Sequence, residues 1–249
     1  MRQNNAARRL YDAFQYALAD GNPNEFTYLV LARAFGVKDP ESNKYFLIDI
    51  FDLLAEVEKK IKLLKNVDGI EIYVKGIQEI QYYLITCNPL DGLWQTLKSF
   101  IEGRNLSLIL HSCANFLDQE QPEPELTDEQ LHEYLKQCES LLQEVVISDL
   151  SNDIKEYLVV RLEEICSAIR HYKIGGPERL RIIVEASIGA AVVRYGQYSE
   201  QQKEGIFKKI MNVLGPIATV LGLVADTNGF VLPAVKEVVK NLPLPSNNK

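Results

Sequence analysis

Cysteine is sparse in this chain: Cys87, Cys113, Cys138 and Cys166 are the four among 249 residues. None forms a C-x-x-C pair and none has a histidine at zinc-ligand spacing, so neither a disulfide framework nor a zinc module fits. Each falls inside an apolar helical pattern, which predicts buried, reduced thiols. Histidine is scarcer still, with three. The phosphate-cradling forms G-x-x-x-x-G-K-[ST] and G-x-G-x-x-G are missing, as are H-E-x-x-H and G-x-S-x-G. These absences remove the common nucleotide-binding, zinc-protease and serine-hydrolase readings, and no cofactor or metal is expected. Positive charge is also in deficit. The 27 Lys and Arg against 34 Asp and Glu leave a net charge of −7, which disfavours a phosphate backbone or an anionic bilayer as partner for the body of the chain. No apolar stretch of signal-peptide type follows Met1-Arg2-Gln3-Asn4-Asn5, so a cytoplasmic location is expected.

What remains is an ordinary globular composition, 47% hydrophobic and 24% charged, in a chain long enough for one large or two small domains. Charge is uneven along it. Basic and acidic residues number 13 and 14 over Met1 to Leu117, 3 and 14 over Asp118 to Glu164, and 11 and 6 over Ile165 to Lys249. The acidic middle and mildly basic end suit contact with a protein partner or with another copy of the chain.

The hydrophobic period is helical nearly throughout, so the fold class is all-α. Ala7, Leu10, Phe14, Ala17 and Leu18 mark a first helix closed by Gly21. Asn22-Pro23, Asp39-Pro40 and Asn88-Pro89 each read as an N-cap followed by proline at the first helical position. The second of these leads a long helix through Leu47, Ile50, Leu54, Val57 and Ile61 whose far face, with Glu56, Glu58, Lys59, Lys60 and Lys62, is expected in solvent. Ile70 to Val74 alternates like a strand, yet Ile77, Ile80 and Leu84 continue it at helical spacing, and helix is preferred. Trp94 is expected in the core.

Gln119 to Glu125, reading QEQPEPE, is expected to be a solvated linker because its prolines and glutamates cannot pack a core. It divides an N-terminal helical bundle (1–117) from a C-terminal one (127–242), with 118–126 as linker and 243–249 as tail. Thr127 with Gln130 and Ser199 with Gln202 form capping boxes, and Ser151 is a further cap. Gly175-Gly176-Pro177 ends one helix and starts another through Leu180, Ile183, Val184, Ile188, Ala191 and Val192, expected to be central. Ile210 to Ala225 carries no charge. With the segment to Val239 it predicts an apolar helical hairpin that packs on Ile183, Ile188 and Val192, since Pro216 and Asp226 disfavour a membrane span. No repeat of solenoid period is visible.

Ser148-Asp149-Leu150, Lys155, Leu158, Ala168-Ile169-Arg170, Tyr172, Gly176, Leu180, Glu185 and Gly189 resemble a helical C-terminal region of uncharacterised bacterial proteins. That resemblance implies a bacterial cytosolic origin and brings no activity with it.

Glu129 and His132 match half of a di-iron Glu-x-x-His pair, but the second half is absent, so His132 is read as surface. His171 is read as a cation at a helix C-terminus. Arg104-Asn105, followed after five residues by His111, resembles the Arg-x(4–6)-His motif of HEPN ribonucleases. On a helix beginning near Asn105, two turns would put both side chains on one face. The resemblance implies a metal-independent cut: Arg104 would hold the scissile phosphate and His111 would move the proton of the ribose 2′-OH, with RNA as substrate, Asn105 part of the site and a dimer pairing two such faces. Three readings follow. The preferred one is a non-enzymatic helical interaction or regulatory protein acting through a protein partner or as a homo-oligomer. The alternatives are the ribonuclease built on Arg104, Asn105 and His111, and a membrane-active effector using 210–239.

Overall fold

In the computed structural model, residues 5–65, 67–120, 123–193, 199 and 202–223 are described. Among them the protein is all-α. The helices are α1 (Ala6–Asp20), α2 (Thr27–Phe35), α3 (Phe46–Lys62), α4 (Ile70–Thr86), α5 (Trp94–Gly103), α6 (Leu106–Glu120), α7 (Asp128–Ile147), α8 (Asn152–Arg170), α9 (Tyr172–Val193) and α10 (Lys208–Val220). The chain divides into two compact units. One holds Met1–Glu125 together with His171–Gly176, and the other holds Leu126–Arg170 with Pro177–Lys249.

The first unit packs α1, α2, α3, α4, α5 and α6 around a core that includes Leu10, Phe14, Leu31, Ile50, Leu54, Ile80 and Leu110. These residues recur every three or four positions, which brings them to one face of each helix. Asn5 caps α1 by accepting a bond from the Arg8 amide at 2.9 Å, and Gly21 closes it. Ile70–Val74 is helical, the first turn of α4. Trp94 is fully buried, as expected.

The three X-Pro pairs do something other than cap. The helices expected at Pro23, Pro40 and Pro89 begin instead at Thr27, Phe46 and Trp94. Asp39 and Asn88 adopt left-handed backbone, with φ of 51° and 44°, which these short polar side chains tolerate and which is not the extended conformation of an N-cap. The loops opened by Asn22-Pro23 and Asn88-Pro89 pair with each other through an isolated antiparallel bridge, Phe26 to Leu93. The Thr27 amide donates to Gly92 O at 2.9 Å and the Trp94 amide to Glu25 O at 2.8 Å. One residue further on, the Tyr28 amide donates to Pro89 O at 2.9 Å and the Gln95 amide to Pro23 O at 3.0 Å. Each helix start therefore has orphan N–H groups satisfied by carbonyls of the other loop. Helix, Asn-Pro loop and helix recur as a reciprocal pair, α1–α2 with α4–α5. Gly92 is needed within it, because a Cβ there would lie 1.9 Å from the Cys87 carbonyl oxygen.

Part of the segment expected to be a solvated linker is held otherwise, while Gln119, Glu120, Pro124 and Glu125 are exposed. Residues 118–120 are the last turn of α6, and Glu123 is buried, its side chain 8% exposed. Glu56 and Lys60, expected in solvent on α3, are also mostly buried, because they face Glu123 and Arg9.

In the second unit α7 packs along α8, and α10 packs on α7. Thr127 and Gln130 complete the capping box at the start of α7, and Ser199 and Gln202 exchange the same pair of bonds. Within α9, Gly176 is non-helical ahead of Pro177, which is the expected break. Beyond it α9 buries the stripe Leu180, Val184, Ser187 and Ala191, while Ile182 and Val193 are exposed, so it is a one-sided helix rather than a central one. Helix α10 covers the start of the segment expected to form an apolar hairpin and buries Ile210, Met211, Leu214, Ile217 and Ala218. It packs on α7, where Lys209 also pairs with Glu144. The second limb, to Val239, and the tail 243–249 lie outside the described residues. No helix among the described residues is long and apolar enough to cross a membrane.

Candidate functional site

Arg104 and His111 belong to different surroundings. Arg104 is the exposed C-cap of α5, 3.7 Å from Glu79 of α4. Asn105 follows in left-handed backbone, φ 52°, and α6 starts after it at Leu106. The two-turn spacing presupposes one continuous helix, and the turn at Asn105 interrupts it. His111, half-buried on α6, stacks on Tyr11 of α1 with ring centroids 4.8 Å apart.

That stack is one rung of a polar seam between antiparallel α1 and α6. Asn5 donates to Asp118 at 2.6 Å, Arg8 donates to Asn115 and to Asp118 at 2.7 Å each, and Gln15 bonds Ser107. Arg8 also lies 5.8 Å from the Tyr11 ring centre. The guanidinium nearest the imidazole's stacking partner is thus Arg8, already neutralised by Asp118. The sequence carries this seam at positions 5, 8, 11 and 15 against 118, 115, 111 and 107, a signal visible only once the two helices are known to be antiparallel neighbours. His111→Ala is expected to cost about 0.5–1.5 kcal/mol, the worth of an aromatic pair, measured by urea denaturation. A loss of activity on single-stranded RNA without that loss of stability would instead favour a catalytic imidazole.

The other histidines separate cleanly. His132 is exposed on α7. His171, read as a helix-terminal cation, lies between α8 and α9 with both ring nitrogens engaged: Nδ1 is 2.7 Å from Asp49 Oδ2 and Nε2 is 2.9 Å from Asn43 Nδ2. Through these two contacts the ring clips the start of α9 to the first unit. Cys113, Cys138 and Cys166 are buried and Cys87 is half-buried, all as free thiols. Burial pushes the Cys113 thiol up to about 12. The thiol of Cys138 is raised by its neighbour Cys166 and by burial, so neither it nor Cys113 is a ready nucleophile. Among the described residues no group of three or more His, Cys, Asp or Glu is placed to hold a metal ion.

The densest buried charge is elsewhere. Arg9 of α1, with a side chain 4% exposed, donates to Glu123 Oε2 at 2.6 Å through Nη1 and to the Ile174 carbonyl at 3.1 Å through Nε. Its Nη2 makes no hydrogen bond among the described residues and is 3.7 Å from Glu56. Lys60 pairs with Glu56 at 2.7 Å and with Glu123, and Glu123 also accepts the Ala6 amide at 3.2 Å. Two cations and two carboxylates balance, which is what makes their burial tolerable. Burial holds the Glu56 carboxyl above its usual range, with Lys60 and Arg9 opposing the shift. At Lys60 burial is the largest single influence and works against the charge, but Glu56 and Glu123 together outweigh it and raise the pKa. One signal in the sequence pointed here: Arg9 stands three residues after Ala6 and four before Ala13, on the apolar face of α1.

A third feature is apolar. Tyr82 and Ile85 of α4 are 61% and 66% exposed, and Phe100 of α5 is exposed while stacking on Tyr83 at 4.0 Å. Leu93, the extended residue just before α5, is bridged to Phe26, and both are exposed, as is Leu90 in the same loop. Compared with known proteins, the chain matches no family model, no curated protein and no solved structure.

Proposed function

We propose that this chain is a non-enzymatic helical interaction protein of the bacterial cytoplasm, and that its docking face is the apolar surface over the paired loops and the α4–α5 hairpin. The observation that carries the reading is that the first unit exposes Phe26, Leu90 and Leu93 on the paired loops and Tyr82, Ile85 and Phe100 on the α4–α5 hairpin that those loops join. Large apolar side chains gathered in one region mark interaction sites far more than scattered ones do. The partner is a protein segment with apolar anchors and basic flanks. Among the charges beside the loops, Glu25 is neutralised by Arg33 and Lys98 is taken by the Leu18 carbonyl, while Asp20 and Asp91 are exposed and pair with no cation among the described residues. The net charge of −7 favours the same sign of partner at longer range.

The test is calorimetric titration with an amphipathic leucine/lysine helix and, in parallel, with its leucine/glutamate counterpart. Binding of the basic helix should weaken about tenfold or more in the charge-neutral double variant Ile85→Gln, Leu90→Gln, whose two sites are exposed, with circular dichroism as the check that the fold is kept. Equal binding of both helices, or binding untouched by the variant, contradicts the reading. RNA cleavage lost in His111→Ala would promote the ribonuclease alternative. Binding to anionic vesicles lost on truncation at 210 would promote the membrane alternative.

A further inference from the structure

We propose that Arg9 is a conformational clasp coupling two distant straps of the chain, residues 123–125 and 171–176, so that loosening one loosens the other. The 45 residues 126–170 run between the straps in the second unit. Both nevertheless close on one guanidinium within the first unit: Glu123 holds Nη1 and the Ile174 carbonyl holds Nε. Gly176 completes the enclosure. It has φ 64°, and a Cβ there would stand 2.2 to 2.4 Å from Cζ, Nη2 and Nη1 of Arg9, so the backbone lies directly on the guanidinium. Ile174 is fully buried in the core of the first unit, and His171 is clipped to Asp49 and Asn43. The first strap is bound as firmly, through Lys60 and the Ala6 amide.

The coupling follows from the fork. A guanidinium fixes the directions of all its N–H bonds together, so a shift that follows the loss of Glu123 also misaligns Nε from Ile174. An arginine released from Glu123 is moreover a buried cation left facing only Glu56 at 3.7 Å, and it is driven to reorient toward water. The point where the chain leaves the first unit thereby senses the point where it re-enters, and any partner that pulls on 126–170 acts on α1. This inference does not depend on the docking face.

Native-state hydrogen exchange of the full chain tests it. The amides of Ile174 and Gly175 report on the second strap, both donating to the His171 carbonyl at 2.9 Å. In Glu123→Gln these two amides should exchange about tenfold faster or more, although the substitution lies far away in sequence. The comparison variant is Ile80→Val, a core change in the same unit that touches neither strap. Arg9→Lys separates the two contacts: a lysine can keep the charge pair with Glu123 but lacks a second, rigidly placed donor for Ile174. It should expose Ile174 and Gly175 while the Ala6 amide stays protected. The proposal is overturned if Glu123→Gln speeds exchange only near Ala6 and 123–125, or speeds Ile174 and Gly175 no more than Ile80→Val does. It is equally overturned if Arg9→Lys leaves those amides as in the parent chain.

Discussion

Gly176→Ala is expected to lower the melting temperature by about 10 °C, followed by circular dichroism at 222 nm. Two costs combine. With φ 64° and ψ −167° the residue occupies a backbone region that is nearly glycine-only, and an L side chain there carries about 1–3 kcal/mol of strain. The added methyl group would also overlap three atoms of the Arg9 guanidinium, at 2.2 to 2.4 Å. Arg9 cannot yield without giving up Glu123 and the Ile174 carbonyl, and breaking a buried ion pair costs about 3–5 kcal/mol. Gly36→Ala is the comparison for a positive-φ glycine without the clash, although its ψ of 27° puts it in the milder left-handed helical region. Its φ of 68° is similar, but the nearest atoms are the Lys173 side chain at 3.4 and 3.7 Å, so only the backbone penalty of about 1 kcal/mol applies. A Gly176→Ala chain that melts within a few degrees of Gly36→Ala would mean that Arg9 is not held as described.

The helices were legible in the sequence because their cause is local. Apolar spacing sets the buried face, and the Thr127–Gln130 box needs no information beyond four consecutive residues. The Asn-Pro loops were misread for the opposite reason. What satisfies the starts of α2 and α5 is a set of carbonyls from a loop more than sixty residues away, and no window on the sequence contains both partners. Glu123 was misread through composition. Glutamates beside prolines are normally solvated, since burying an isolated carboxylate is prohibitive, and only the arrival of Arg9, Lys60 and the Ala6 amide reverses the balance. For Arg104 and His111 the spacing is real and the helix begins where expected, but Arg104 is not on it, because Asn105 turns left-handed at the joint. The exposed aromatic surface was hidden by a different limit, as periodicity tells which residues have an apolar neighbour on the same helix but not which helix faces are left without a cover.

Trp94→Ala is expected to cost about 3–5 kcal/mol, read as a fall in the urea midpoint at constant slope. Trp94 is fully buried at the first position of α5, where its amide holds the Glu25 carbonyl at 2.8 Å across the paired loops. The indole lies so close to the other half of the pair that a Cβ on Gly21 would be 2.6 Å from its Nε1 and 2.8 Å from Val30. One side chain therefore packs the end of α1 and the start of α2 against α5, and removing it should loosen both loops, with faster exchange at the Thr27 and Tyr28 amides as well as near the substitution. Trp94→Phe should cost much less, about 1–2 kcal/mol. The indole Nε1 is buried without a hydrogen-bond partner, so phenylalanine gives up contact area but also deletes an unsatisfied donor, and the second effect offsets part of the first. If Trp94→Phe were as damaging as Trp94→Ala, the Nε1–H would have to be making a bond that supports the loop pair, and the packing account of this residue would fail.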